Sequence, residues 1–221
     1  MSADLSTARG VFSVAAAVLF DFDGPLCDVF AGMPAPDVAR RLSDLAGVVV
    51  DSDDPLEVLR HAADQLGNSD LQKVENALIA AEVEAIAVSE PTAGGREAVQ
   101  AFARAGRRVG VVSNNSTDAV VAFLRRYGLV HEVGPVVGRA YARPDLMKPN
   151  PWSLMRALGE MNCPPGRAVF IGDSLTDIQA AHSAGVPCVA VANKPGKREQ
   201  FAGTGALAVV GSMQAVLAAA A

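Results

Sequence analysis

The stretch Ala17–Asp28, AVLFDFDGPLCD, decides how the rest of the chain is read. Val18, Leu19 and Phe20 form an apolar run that ends abruptly in two carboxylates, Asp21 and Asp23, before Gly24 and Pro25 break it. Such a run reads as a short strand buried on both faces, with its acids delivered at the carboxyl end. Residues two apart in an extended chain face the same side. Asp21 and Asp23 are therefore expected to share one small space, with Phe22 turned away into packing. Two acids crowded at the end of a buried strand are unfavourable unless a cation or an electrophile meets them. The bland alternative is a surface Asx-type turn, but a strand buried on both faces has little need of a double acid for turning.

Composition narrows the class. The chain has 221 residues, enough for one large domain or for a core domain carrying a smaller insert. Half of the residues are hydrophobic and only 5% are aromatic, so Ala, Val and Leu must build the core. The formal net charge is −5 and no Lys/Arg stripe with interleaved aromatics occurs, which argues against nucleic acid as a partner. No apolar run is long enough to cross a bilayer, so no membrane partner is expected. Residues 1–20 superficially suggest a signal peptide, but Arg9 is a weak basic region and the apolar part runs directly into the acids, so they read as a short tail plus the first strand. Cys27, Cys163 and Cys188 are odd in number and far apart, which points to a reducing, cytoplasmic setting and to no metal-type Cys/His spacing.

After the opening stretch the pattern turns helical. Apolar residues recur at helical spacing over 36–46, 54–66 and 69–88, with Asp53 or Asp54 as N-cap of the second segment; Val48–Val50 is the one stretch that could be a strand. Residues 25–92 thus read as a small helical insert. They carry 13 acidic and 4 basic side chains, a balance of −9 against +4 for the remainder. From Pro91 onward helices and strands alternate. Helices are expected over 95–105, 117–127, 151–159, from Ser174 to His182 and from Ser212 on, with strands at 108–112, 136–137, 168–171, 187–192 and 208–210. This alternation predicts an α/β fold, a Rossmann-like parallel sheet core wrapped by helices, made of residues 1–24 and 93–221, with a small α-helical cap domain at 25–92.

In an open parallel sheet, ligands bind beyond the carboxyl ends of the strands. Four candidate groups lie there: Asp21/Asp23; Ser113-Asn114-Asn115 after Val111-Val112; Lys148 in MKPNPW; and Gly172-Asp173 after Val169-Phe170-Ile171, with Asp177 a helical turn on. Singly, each has a plainer reading. Ser113 suits a cap, Lys148 an exposed lysine, and Ser174–Asp177 a capping box. Together they form a coherent site. Unit charges ~4 Å apart repel by about 4 kcal/mol at an effective dielectric near 20, so converging acids require a cation, and all-oxygen ligands suit Mg²⁺.

In this order and character the motifs resemble the haloacid dehalogenase-like hydrolase superfamily, in particular its phosphatases with a helical cap inserted after the first motif, of the phosphoglycolate phosphatase-like kind. The first motif stands here as DFDGPLCD, Asp21 to Asp28; the second as VVSNNS with Ser113; the third as MKPNPW with Lys148; the fourth as GDSLTD with Asp173 and Asp177. The resemblance implies a Mg²⁺-dependent phosphatase hydrolysing a small phosphorylated metabolite through an aspartyl-phosphate intermediate, as a monomer or homodimer. It implies that Asp21 is the nucleophile and Asp23 the acid–base, and that Asp21, the Asp23 backbone carbonyl and Asp173 hold the metal. Ser113 and Lys148 would bind phosphoryl oxygens, Asn114 phosphate or substrate, and Asp177 would be a supporting acid. Pro25 stands where the family usually has Thr or Val, so one turn donor is lost. Dehalogenase chemistry fits less well because Asp23 is present, and phosphomutase less well because residues 27–30 lack its distinctive pattern. A non-catalytic phosphate-binding module is supported by Pro25 alone. The acidic insert makes a highly anionic leaving group the less expected one, although Arg40, Arg41, Arg60 and His61 offer local positive charge.

Overall fold

A computed structural model describes residues 3–220 of the chain. Its centre is β1 (Ala17–Phe20), all four residues of which are buried. β1 lies between β2 (Arg108–Val112) and β4 (Ala168–Gly172), both parallel to it, with Phe20 in register with Val111 and Ile171. β3 (Val136–Val137), β5 (Cys188–Val191) and β6 (Ala208–Val210) complete a parallel sheet of order β3-β2-β1-β4-β5-β6. Because the strands run the same way and in register, the residues that follow them emerge along one edge. The Asp21 amide extends the ladder by one more bond, donating to the Ile171 carbonyl at 2.8 Å.

The two faces of β1 feed two cores. Val18 and Phe20 pack with Phe12, Phe102 and Phe123, whereas Ala17 and Leu19 pack with Leu154, Phe170 and Ile178. This is the period-two alternation of a strand covered on both sides. The first face is covered by α5 (Gly95–Arg104), α6 (Thr117–Arg126) and α10 (Met213–Ala220), the second by α7 (Trp152–Glu160) and α8 (Leu175–Ala184).

The sequence-based boundaries of these elements hold to within two residues, and the expected α/β architecture is the one observed. One expectation fails, and the one open strand assignment is settled. The N-terminal tail is α1 (Ala3–Val14), which buries Ala8 and Phe12 on the first core. Its buried residues are few, and Gly10 on its exposed side is a poor helix former, so the helical signal was weak there. Val48–Val50 forms no strand: Val49 is 95% exposed and only Val48 is buried. Also unforeseen are the short α9 (Lys197–Gln200) and two 3₁₀ turns, Pro144–Leu146 and Pro165–Arg167.

Between Asp23 and Pro91 lie α2 (Ala35–Ala46), α3 (Pro55–Gln65) and α4 (Asn68–Val88). Asp54 caps α3, its carboxylate accepting from the Leu56 amide at 2.8 Å. The three helices share their own core of Val38, Leu42, Leu59, Val74 and Leu78. Fully burying each such side chain stabilises the lobe by about 1.5–3 kcal/mol. α4 continues past this core, and Ala85 and Ile86 join the first core of the sheet domain. The two chain crossings into the lobe are stapled together, Cys27 bridging to both Asp23 and Pro91. The Thr92 amide donates to the Leu26 carbonyl at 2.9 Å and the Thr92 hydroxyl to the Gly24 carbonyl at 2.7 Å. No helix among the described residues is long and apolar enough to cross a membrane.

Candidate active site

The strand-edge rule brings the four motifs together. Asp21 and Asp23 follow β1, Ser113 follows β2, Asp173 follows β4, and Lys148 enters from the loop before α7. All five line one cavity of about 250 Å³, closed on its far side by Asp54, Leu56, Glu57 and Arg60 of the helical lobe. Phe22 points the other way, fully buried and edge-on to Phe123 at 5.2 Å.

Lys148 is the organising cation. Its ammonium donates to Asp21 Oδ1 and to Asp177 Oδ1, each at 2.6 Å, and is 2% exposed. Burial pulls its pKa down, but Asp177 and Asp21 outweigh that and raise it above the ordinary lysine value, so it stays charged. Burial pushes the Asp21 carboxyl well up, helped by repulsion from Asp177 and Asp173 and opposed by Lys148. Asp21 keeps Oδ2 outside the lysine pair.

Asp177 fills two roles with two oxygens. Oδ2 completes the expected capping box, accepting from the Ser174 hydroxyl at 2.7 Å and from the Ser174 and Asp173 amides at 3.0 Å each. Oδ1 holds Lys148. A side chain at Gly172 would overlap the Asp177 carboxyl, so glycine at that position is what lets the loop close.

Asp23 is the more open acid. Its Oδ1 accepts from the Val29 amide at 3.0 Å. Solvent reaches it, yet the protein walls of the cleft displace enough water to raise its pKa to about 6, with Asp173 and Asp28 adding repulsion. Gly24, with φ of +97°, turns the chain away from it; a Cβ there would overlap the Asp173 carboxylate. Pro25 does not open this turn. The Phe22 carbonyl accepts from the Leu26 and Cys27 amides at 3.0 and 3.1 Å, and Gly24 donates to the Cys27 carbonyl at 2.6 Å.

Ser113 is buried, with its hydroxyl 3.2 Å from Asn115 Oδ1 and accepting from the Asn115 amide at 3.0 Å. Asn114 clamps the Lys148 loop. Its Oδ1 accepts from the Lys148 amide at 2.8 Å and its Nδ2 donates to the Lys148 carbonyl at 3.3 Å.

Two sets of residues escaped the sequence reading. Lys197 donates to Asp173 Oδ2 and to the Asp173 carbonyl, both at 2.6 Å, and Asn193 joins at 3.0 Å. Asn193 follows the end of β5, so the strand-edge rule applied to that strand would have found it. The second set has no sequence signature. Arg139 is sealed between Glu75 and Glu82 of α4 at 2.8 Å each. Glu82 also accepts from Asn115 Nδ2 and the Ser116 amide, and Arg139 donates to the Asn114 carbonyl. This buried network ties the longest helix of the lobe to the loop that carries Ser113.

Carboxylate oxygens of Asp21, Asp173 and Asp177 lie within 4.8 Å of one another. Hard oxygen donors in excess of the local cations fit a divalent ion such as Mg²⁺. With both Asp177 oxygens engaged, Asp21 and Asp173 are the carboxylates of this group left to meet an ion.

The sequence profile of the haloacid dehalogenase-like hydrolases matches residues 15–185. The chain belongs to that family. It is 29% identical to a phosphoglycolate phosphatase of Rhodospirillum rubrum over 87% of this chain and 86% of that one. It is also 29% identical to an N-acetylmuramic acid 6-phosphate phosphatase of Pseudomonas aeruginosa, over 79% and 80%. With these relatives it is a phosphoric monoester hydrolase. The fold superposes on CbbY of Rhodobacter sphaeroides in complex with phosphate with a TM-score of 0.71 at 22% identity, covering 90% of this chain and 95% of that one. A predicted phosphatase of Clostridium acetobutylicum gives 0.75 at 17% identity, over 93% and 97%.

Proposed function

We propose that this chain is a Mg²⁺-dependent phosphatase that hydrolyses a small phosphorylated metabolite through an aspartyl phosphate on Asp21. The observation that carries the reading is the Lys148 ammonium bridging Asp21 and Asp177 at 2.6 Å. It fixes the Asp21 carboxylate by one oxygen and leaves the other to attack.

In the first step Asp21 Oδ2 attacks phosphorus, the bond from phosphorus to the leaving oxygen breaks, and Asp23 gives that oxygen its proton. A carboxyl with a pKa near 6 suits proton transfer close to neutral pH. In the second step the Asp23 carboxylate takes a proton from water, the water oxygen bonds to phosphorus, and the bond to Asp21 breaks, releasing phosphate. Lys148 and the Ser113 hydroxyl hold phosphoryl oxygens throughout. Asp21, the Asp23 backbone carbonyl and Asp173 would hold Mg²⁺, which supplies positive charge against the phosphoryl oxygens when bound. Asn114 supports this arrangement by fixing the Lys148 backbone, and Asp177 by fixing the lysine head group. Residues 25–92 act as the cap over a core of residues 1–24 and 93–221. The three cysteines are buried and unpaired, which supports a cytoplasmic site of action.

Release of phosphate from p-nitrophenyl phosphate tests the reading. Turnover that requires Mg²⁺ is expected, whereas tight phosphate binding without turnover would make the chain a binding module.

A further inference from the structure

The wall of the cavity that faces a leaving group comes from α3 and its cap. Its charged members are Asp54, Glu57 and Arg60. Arg60 also stands at the mouth of a second cavity, of about 640 Å³, whose wall adds Asp64 and Asp145 beside apolar Leu71 and Met147. Arg60 is thus the one cation among the residues lining this path away from Lys148. Its guanidinium is already engaged, donating to Glu57 at 2.5 Å and to the Lys148 carbonyl at 3.5 Å. Asp145 is likewise matched by Arg143. What remains is a surplus of carboxylates, Asp54 lining the cavity of the catalytic acids and Asp64 the second one.

Carboxylates accept hydrogen bonds and attract cations, and they repel a second anion. A hydroxylated leaving group donates to them, and an amino alcohol adds attraction. A leaving group bearing a carboxylate or a further phosphate offers only acceptors and like charge. Arg60 cannot turn to such an anion without leaving Glu57 unpaired on the same wall.

We propose that the site takes phosphomonoesters of small uncharged or cationic hydroxylated alcohols, and that Asp54 discriminates against leaving groups carrying a carboxylate or a second phosphate. This inference rests on the phosphatase reading above.

The test compares kcat/KM, with Mg²⁺ present, for glycerol 3-phosphate, phosphoethanolamine, 2-phosphoglycolate and fructose 1,6-bisphosphate, with p-nitrophenyl phosphate as the common control. At least about tenfold preference for the first two is expected, the scale of one poorly screened like-charge pair. The variant Asp54→Asn, which keeps the helix cap and the Arg60–Glu57 pair, narrows the preference by about tenfold. Wild-type preference for 2-phosphoglycolate or the bisphosphate overturns the inference, as does an unchanged ratio in Asp54→Asn. Selective loss of 2-phosphoglycolate turnover in Arg60→Gln overturns it too, since Arg60 would then be an anion receptor. Absence of turnover with every substrate, the control included, sinks the phosphatase reading instead.

Discussion

Two charged clusters sit about one loop apart in this molecule and are built to opposite ends. In the sealed one, Arg139 lies between Glu75 and Glu82, and Glu82 is further satisfied by Asn115 and the Ser116 amide. In the open one, Lys148 joins Asp21 to Asp177 and Lys197 holds Asp173, while Asp23 faces the cleft. The sealed cluster spends its charges on holding α4 against the Ser113 loop. The open cluster sets four carboxylates against two ammonium groups and keeps oxygens of Asp21 and Asp173 outside those pairs. Surplus charge facing a cavity is available to ligands; charge consumed within a core is available only to the fold.

Substitutions at the two clusters should therefore fail differently. Asp21→Asn is expected to lower turnover by at least about a thousandfold, the scale seen on removing a nucleophile. It should not lower the thermal midpoint, because it removes a buried carboxyl whose pKa burial raises. Activity lost together with the fold would break the contrast. Arg139→Met does the reverse. It leaves two glutamates buried without their partner and should cost about 3–5 kcal/mol of unfolding free energy in urea titration. Lys148→Met belongs to both classes, since it strands Asp21 and Asp177 while removing a phosphoryl ligand; it should lose activity and also about 3–5 kcal/mol. If it unfolds no more readily than wild type, Lys148 does not organise the buried carboxylates around it.

The same chemistry at the surface sets the lower bound. Arg198 pairs with Asp4 at 2.9 Å, and this hydrogen bond holds the Asp4 carboxyl below its usual value. A depressed folded-state pKa stabilises above the unfolded value and is lost as pH falls through the folded one. With both side chains well exposed, Asp4→Asn should cost under about 1 kcal/mol at pH 7 and progressively less as pH falls through the folded-state pKa, read from unfolding curves across an acid pH series. A larger cost at neutral pH would mean that α1 is anchored mainly by this pair rather than by Ala8 and Phe12.

The open cluster was legible in the chain because its residues sit where topology puts them. Each of Asp21, Ser113 and Asp173 directly follows an apolar run, and parallel strands in register deliver such ends to one edge. The sealed cluster was not legible. Glu75, Glu82 and Arg139 look like solvated charges, and only the docking of α4 onto the loop before α6 buries them. Lys197 was missed because it follows a strand end by six residues rather than one or two. α1 was missed because its helical signal is weak. Local pattern carries the strands and their ends; contacts distant in the chain decide which charges are buried.

The most direct test of the central claim is chemical trapping of the intermediate. The enzyme is quenched with acid during turnover with Mg²⁺, reduced with borohydride, and mapped by peptide mass spectrometry. An aspartyl phosphate on Asp21 would appear as homoserine at position 21, only in samples that held substrate. Sustained phosphate release with the modification absent from position 21, or found at another carboxylate, would contradict the account.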